Sequence, residues 1–268
     1  MSELIIVRGG GDIASGVIQK FHRSGFRVVV LEVGNPSFIR RTVCYGEAVY
    51  KKEIILEGTK AVLVHGTGDV KKVLDKGEVA VIVDPCGDTI KKLKPLAVID
   101  AILAKKNLGT NIYMAPITVG LGPGFTAGRD VDIVVETMRG HDLGRLIFSG
   151  EAKKNTGIPG VIKGYGLERV IYSETDGIIK NIKDIGNFVE KDEIFAFIGD
   201  IQIKSPLTGI LRGLIRDGYR VTKGFKIGDV DPRQDQQQNC YTISDKARNI
   251  GGSALEAVLY LRRKQGQQ

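Results

Sequence analysis

The sequence predicts an α/β protein, with a mostly parallel sheet in the N-terminal region and a small all-β barrel sandwich in the C-terminal third. Two observations predict this class. Short β-branched runs alternate with helical patterns in the N-terminal region, as they do in sheets built from β-α-β units. An internal repeat then fills residues 174–233, and each half reads as a strand, a turn containing glycine and a second strand.

The N-terminal region opens with one β-α-β unit. The run 4–7 (LIIV) predicts a buried strand, and the helix that follows carries Ile13, Val17 and Phe21 one turn apart on one face. The run 27–32 (RVVVLE) is uninterrupted and β-branched, which is typical of parallel strands covered on both faces. This order predicts a right-handed crossover between two neighbouring parallel strands.

Further strands are predicted at 61–64, 79–83 and 96–99, and glycine becomes frequent after residue 120. The repeat has an offset of 32 residues, so that five residues of the first half recur in the second: Gly177, Ile178, Gly186, Val189 and Lys191 as Gly209, Ile210, Gly218, Val221 and Lys223. The stretch QDQQQN (234–239) is interpreted as a linker. The predicted organisation is a parallel-sheet domain over 1–110, a glycine-rich α/β extension over 111–170, a barrel-sandwich module over 171–233 and a C-terminal helix over 250–264.

Composition narrows the function classes. The chain has 268 residues and a net charge of +8, but aromatic residues are only 6% and do not interleave with the basic ones, so nucleic acid is not an expected partner. Three widely spaced cysteines form no metal-ligand spacing and suit a reducing cytoplasm. With no signal-peptide pattern and no long apolar run, we expect a cytoplasmic protein without membrane contact. We also expect a homo-oligomer.

The stretch VRGGGDIASG is the strongest candidate for a binding site. Gly9, Gly11 and Ala14 fit the pattern G-x-G-x-x-A between a strand and a helix, with Gly10 inside the turn. Such a Rossmann-like turn offers backbone N–H groups and a positive helix end to a phosphate. Glu32, 21 positions after Gly11, stands where an acidic residue accepts ribose hydroxyls.

A purely structural turn remains the alternative for this stretch, because a tight strand-to-helix connection requires glycine for steric reasons alone. Asp12 would repel a pyrophosphate, and it is included among the candidate residues either for its position or as a helix cap.

Other anion-binding candidates are more distant in the chain. Arg40 and Arg41 are candidates for a bidentate phosphate clamp, with a solvated loop as the alternative. The loop GLGPGF places Gly122 and Gly124 near Arg129, where they form either a second anion-binding nest or a corner between strands. His141 is the histidine that falls within a glycine-rich loop. The sequence indicates no metal site, and it leaves any catalytic residue unidentified.

Several long motifs together resemble the YqeB-type family: VRGGGDIASGV, PSFIRRTVCYGEAVY, VIDAILAKKNLGT, LGPGFTAGRDVDIVVETMRGHDLGRL and KKNTGIPGVIKGYG. These are accessory proteins of selenium-dependent molybdenum hydroxylase systems, and the N-terminal part is also similar to the XdhC group. The resemblance implies a maturation factor that binds or handles the molybdenum cofactor, with the hydroxylase as its protein partner. That cofactor is an anionic molybdopterin, in some forms linked to a nucleotide.

The repeat resembles the barrel-sandwich fold of biotinyl and lipoyl carrier domains over residues 172–232. Those carriers bear a modified lysine at a hairpin tip, whereas the tip before Ser205-Pro206 is Gly199-Asp200. Carrier function is therefore not expected. Two alternatives to a maturation factor stay open, namely an oxidoreductase that binds NAD(P) or FAD at the glycine turn, and a non-catalytic scaffold.

Overall fold

The protein was studied as a computed structural model, which describes residues 3–157 and 160–266. The chain forms two compact units. The first comprises Met1–Pro36, Cys44–Asn155 and Ile243–Gln268, and the second comprises Ser37–Val43 and Thr156–Thr242. Together they form a mixed α/β structure with one large sheet and three smaller ones.

A nine-stranded sheet organises the first unit, in the order β10-β9-β7-β6-β1-β2-β5-β4-β3. Its strands are β1 (Leu4–Arg8), β2 (Arg27–Glu32), β3 (Glu53–Leu56), β4 (Thr59–Val64), β5 (Val79–Val83), β6 (Ala97–Asp100), β7 (Ile117–Leu121), β9 (Ile133–Val135) and β10 (Leu146–Ile147). All neighbouring pairs are parallel except β3 with β4 and β10 with β9, at the two edges. A separate pair is formed by β8 (Thr126–Ala127) and β11 (Gly150–Glu151).

The helices of this unit are α1 (Asp12–Arg23), α2 (Ala48–Lys51), α3 (Thr67–Leu74), α4 (Asp88–Leu93) and α5 (Asp245–Gln265).

The predicted β-α-β unit is confirmed. All five residues of β1 are buried, and β1 pairs in parallel with β2 on one side and β6 on the other. Because β1 is central, both of its faces are covered, which explains its unbroken apolar sequence. The C-terminal helix is also present, but α5 has 21 residues and begins at Asp245, before the predicted start. Its N-cap is Ser244, whose Oγ accepts the N–H of Ala247 at 3.2 Å.

Helices α1 and α5 pack with their backbones in close contact. A Cβ at Gly16 would lie 2.1 Å from the carbonyl oxygen of Ala247, and one at Gly251 would lie 2.4 Å from the carbonyl oxygen of Gly16. Residues at both positions must therefore lack a side chain. The N-terminal turns of the two helices meet at this crossing.

The second unit contains two four-stranded antiparallel sheets, β12-β19-β17-β14 and β16-β15-β13-β18. The strands are β12 (Val170–Tyr172), β13 (Gly177–Asn181), β14 (Phe188–Val189), β15 (Ile194–Ile198), β16 (Ile201–Lys204), β17 (Gly209–Leu214), β18 (Arg220–Val221) and β19 (Lys226–Asp231). Each half of the sequence repeat contributes strands to both sheets. In one sheet β13 of the first half pairs with β18 of the second, and in the other β14 pairs with β17. The core between the sheets includes Phe195, Ile179 and Leu211.

The interpretation of 234–239 as a linker is wrong. Residues Gln234–Tyr241 form a 3-10 helical stretch, and the Tyr241 hydroxyl donates to the carbonyl oxygen of Ile185 at 2.9 Å. Gln237 donates to the carbonyl oxygen of Gly186 at 2.7 Å. The stretch is thus fixed by side-chain hydrogen bonds within the second unit. Among the described residues, no helix combines the length and the apolar composition needed to cross a membrane.

Glu57 fixes the chain just before α5. Its carboxylate accepts the N–H of Ile243 at 2.8 Å, Gln19 Nε2 at 3.1 Å and Arg248 Nη2 at 3.0 Å. Burial raises the pKa of Glu57, but the hydrogen bonds from Ile243 and Gln19 and the charges of Arg248 and Arg23 outweigh it, so that the pKa lies below its ordinary value. The ionised carboxylate therefore stabilises the fold.

We expect Glu57→Gln to lower the free energy of unfolding at neutral pH by about 1–3 kcal/mol, because charge-assisted hydrogen bonds are lost. A carboxyl whose pKa is lowered by folding stabilises above its unfolded pKa, near 4.5, and loses that effect as pH falls through the folded pKa. The difference between variant and parent, measured by urea unfolding, should shrink under acidic conditions. Glu256→Gln, at an exposed position of α5, serves as the control; a difference that persists at low pH would contradict the assignment.

The crossing of α1 and α5 gives a second prediction. Gly16→Ala should lower the free energy of unfolding by at least about 2 kcal/mol, because the added Cβ overlaps a backbone oxygen that cannot move alone. Gly252→Ala is the matched control, since a Cβ there meets no atom within 4 Å and alanine favours helix by about 0.5–1 kcal/mol. Thermal unfolding should shift in opposite directions for the two variants, and equal shifts would exclude a close crossing.

Candidate functional site

The glycine turn lies at the carboxyl edge of the parallel strands, the edge at which open α/β sheets bind ligands. Gly9 takes the positive φ of this turn, +94°, and a Cβ on it would lie 3.0 Å from the carbonyl oxygen of Ala101. A Cβ on Gly10 would lie 2.7 Å from the Cα of Gly46. Close approach of neighbouring backbone therefore explains both glycines.

Glu32 is bound to the turn itself. Its Oε2 accepts the N–H of Gly10 at 2.7 Å, and its Oε1 accepts the N–H of Val33 at 2.8 Å. The side chain is buried, and this burial raises the pKa of Glu32 against the lowering effect of the two backbone hydrogen bonds. Each carboxylate oxygen thus has a protein partner, and the glycine turn is held by a residue that arrives at the end of β2.

Gly11 differs from the two glycines before it. Its backbone is extended, with φ −74° and ψ −171°, a conformation that any residue adopts. It is the N-cap of α1 and provides no side chain to cap the helix. Asp12 is the first helical residue and not the cap. The N-terminus of α1 therefore carries the N–H groups and partial positive charge typical of a helix start.

Two cations lie beside this helix end. Arg139, in the loop after β9, donates two hydrogen bonds of 2.9 Å to the carboxylate of Asp245 in the first turn of α5. The next residue, Lys246, is half-buried. The hydrogen bonds to Asp245 and the charge of Asp12 raise the pKa of Arg139, and the charge of Asp12 also acts on Lys246. Asp12, Arg139, Asp245 and Lys246 form what we call the helix-end cluster.

Lys246 occupies an unfavourable position for a cation. Burial lowers its pKa, and the positive charge of Arg139 lowers it further, against the opposing effects of Asp12, Glu136 and Asp245. It also stands in the first turn of a helix, where the macrodipole opposes positive charge. No ion pair of Lys246 is found in the part of the chain that the structure describes. An anion at this position would relieve all three unfavourable effects.

A buried polar network fixes the other wall of the glycine turn. Arg8, at the end of β1, donates to the hydroxyl of Thr110, which in turn donates to Asp100 Oδ2 at 2.5 Å. The guanidinium of Arg8 also lies 3.6 Å from that carboxylate, and all three side chains are buried. This network holds the segment after β6, including Ala101, against Gly9.

The remaining predicted residues are placed elsewhere. Arg40 and Arg41 belong to the second unit, where Arg40 donates to the carbonyl oxygen of Asn239 at 2.9 Å and Arg41 contacts Asp184 and the carbonyl oxygen of Leu214. The structure gives both guanidinium groups protein partners within that unit. The glycine turn, in contrast, belongs to the first unit. The glycines and the two arginines were predicted to bind one ligand, but they are found in different units.

The loop after β7 has internal partners as well. The N–H of Gly122 donates to the carbonyl oxygen of Val135 at 2.9 Å, and a Cβ on Gly124 would lie 2.8 Å from the Cα of Lys106. Arg129 donates to both oxygens of Asp130, at 3.1 and 3.0 Å. His141 is exposed on the loop that carries Arg139. The structure therefore brings Gly9, Gly10, Gly11, Asp12 and Glu32 together, and it adds Arg139 and Lys246, which the sequence analysis did not identify.

Comparison with known proteins gives one strong sequence match. Over 259 residues the chain is 48% identical to a protein of Escherichia coli (strain K12) named Uncharacterized protein YqeB, and the match covers 97% of this chain. The resemblance to YqeB that the motifs predicted is thereby confirmed at the level of sequence. The chain spans about half the length of that relative, 48%. No family model matches.

Solved structures are similar only at a low level. The product-bound ectoine utilization protein EutE (DoeB) from Ruegeria pomeroyi is 11% identical, with 86% of this chain and 58% of that chain covered and a TM-score of 0.23. A succinylglutamate desuccinylase from a Silicibacter species is 11% identical, with 85% and 84% covered and a TM-score of 0.26. At these scores neither carries an argument about this chain.

The contacts of Glu32 predict that it holds the turn in the absence of any ligand. Glu32→Ala should leave two N–H groups without their acceptor, of which that of Gly10 is buried and should cost about 1–3 kcal/mol, and should accelerate amide exchange at Gly10 and Val33. Glu256→Ala should alter neither exchange nor stability. Exchange measured by NMR decides the point, and unchanged rates at Gly10 and Val33 would exclude this role.

Proposed function

We propose that the protein is an accessory factor in the maturation of a selenium-dependent molybdenum hydroxylase, and that its first unit binds or handles the molybdenum cofactor as cargo. The observation that carries this proposal is the helix-end cluster. A helix N-terminus without a side-chain cap opens beside a half-buried lysine that has no ion pair among the described residues. Phosphate is the group that such a site accepts best.

The proposed fit to this cofactor rests on the groups at the helix end that are available to bind a phosphate. Gly9 and Gly10 are closely packed against other backbone, and the N–H of Gly10 is bound by Glu32. The N–H groups at the start of α1, together with Lys246, are the proposed phosphate ligands, and Arg139 is oriented by Asp245 at their side. In this proposal the β1-α1-β2 unit acts as a Rossmann-like site, comparable to that of the XdhC group, and the second unit is a barrel-sandwich module.

The sequence match supports the same proposal. The similarity to YqeB extends over 97% of this chain. The name of that relative assigns no activity, so the role in hydroxylase maturation comes from the family resemblance and the site geometry together.

A dinucleotide-dependent oxidoreductase is the less favoured alternative. Recognition of a ribose requires an acceptor at the end of β2, and Glu32 is buried there, with both oxygens accepting backbone N–H groups. A phosphate-bearing pterin does not require that contact. The structure therefore favours a ligand that is held through its phosphate.

Calorimetric titration of the purified protein with molybdopterin cofactor, in its plain and nucleotide forms, tests the proposal beside NADH and FAD. We expect the cofactor to bind. Gly11→Val and Lys246→Met should each weaken that binding at least tenfold, because the first places a branched side chain where the phosphate would approach the backbone and the second removes a charge-assisted contact of about 1.5–3 kcal/mol. Melting temperatures should change little, since Gly11 has an extended backbone and Lys246 forms no ion pair among the described residues.

Lys72→Met is the matched control, because Lys72 is an exposed lysine on α3, and it should leave the dissociation constant unchanged. Absence of cofactor binding would contradict the proposal. Binding of NADH or FAD that is lost in Gly11→Val would replace it with the oxidoreductase alternative.

A further inference from the structure

One sheet of the second unit presents a basic and apolar surface. In the sheet β16-β15-β13-β18, side chains alternate between the core and the outside, as in β13, where Ile179 is buried and its two neighbours are exposed. We call the outward side chains of these four strands the outer face. Six of them carry the argument: Ile178, Lys180, Phe197, Gln202, Lys204 and Arg220.

Strand register makes these residues neighbours. Lys180 lies opposite Phe197, which lies opposite Gln202, so that one row crosses three strands. Ile178 lies opposite Arg220 on the other side of β13. Side chains directly opposite each other in antiparallel strands are about 4.5–5.5 Å apart. The six residues therefore form one continuous surface.

The charged side chains among these six residues are all positive. They are Lys180, Lys204 and Arg220, and none of the six residues is a carboxylate. None of these cations has an ion pair among the described residues, whereas Lys183, in the same unit, pairs with Glu193. Ile178 is 52% exposed between two of the cations. An exposed apolar side chain surrounded by unmatched cations is complementary to an acidic protein surface with an apolar centre.

We propose that the outer face docks a partner protein that presents acidic residues around an apolar centre. The inference goes beyond the proposed function, because it concerns the second unit and stands whether or not the first unit binds a cofactor. A nucleic acid is disfavoured as the occupant because single strands are bound by stacking on several aromatic residues, and Phe197 is the one aromatic residue among the six.

Fluorescence anisotropy with a labelled peptide of alternating glutamate and leucine tests this surface in the 268-residue chain. The triple variant Lys180→Glu, Lys204→Glu, Arg220→Glu should bind the peptide at least about tenfold more weakly, a change of 1.4 kcal/mol. The control triple variant, Lys163→Glu, Lys191→Glu, Lys223→Glu, makes the same change in net charge at exposed lysines of the same unit. It should stay within about twofold of the parent.

The apolar part of the surface has its own variant. Ile178→Ser should bind the peptide more weakly than the parent protein does. The melting temperature should not change, because the side chain is half exposed. No binding by the parent protein, or equal losses in the two triple variants, would overturn the proposal. The proposal would also be overturned if the protein bound phosphatidylserine vesicles or oligothymidylate more tightly than the peptide and the outer-face variant lost that binding. The occupant would then be a membrane or a nucleic acid.

Discussion

The backbone contact between Gly16 and Ala247 is the constraint on which the candidate site depends. With no side chain at Gly16, α5 packs directly on α1, and the N-terminal parts of two helices more than two hundred residues apart in sequence come into contact. Both helix ends carry partial positive charge. Their proximity places Lys246 within the electrostatic influence of Asp12 and Arg139. A larger residue at position 16 would separate the helices and remove the cluster without touching any of its members.

Carboxylates at the ends of strands fix the loops around this cluster. Glu32 after β2, Asp84 after β5, Asp100 at the end of β6 and Glu136 after β9 each accept backbone N–H groups of the segment that follows or of a neighbouring turn. Acidic residues at this edge therefore serve the protein's own backbone. The proposed anion site therefore lies beside carboxylates that hold the loops through hydrogen bonds, whereas Lys246 has no ion pair among the described residues.

Much of the first unit is readable from sequence, because β1, α1 and β2 are contiguous and their apolar residues follow the periods of strand and helix. The glycine fingerprint also located the correct turn. It did not distinguish an N–H group that faces a ligand from one that faces Glu32, because both arrangements have the same residue spacing. The ligand role of Gly10 and Glu32 therefore stays a prediction. Arg139 and Lys246 were missed because their proximity depends on the packing of α5, which no local pattern encodes. The Lys246 position did carry one signal, a cation in the first turn of a helix that begins at Asp245.

The two groups of cations differ in a way that separates their proposed ligands. In the first unit, Arg139 and Lys246 both interact with the charges of Asp12 and Asp245 at the start of two helices, and a compact charge distribution of this kind suits a small anion such as a phosphate. In the second unit, Lys180, Lys204 and Arg220 lie on three different strands of one sheet and are separated by apolar side chains. Charges spaced in this way cannot all contact one phosphate, but each can meet a separate carboxylate on an extended protein surface. The basic residues behind the net charge of +8 thus include two groups of different geometry; the first is proposed to bind a small anionic ligand, and the second is proposed to dock an acidic protein surface.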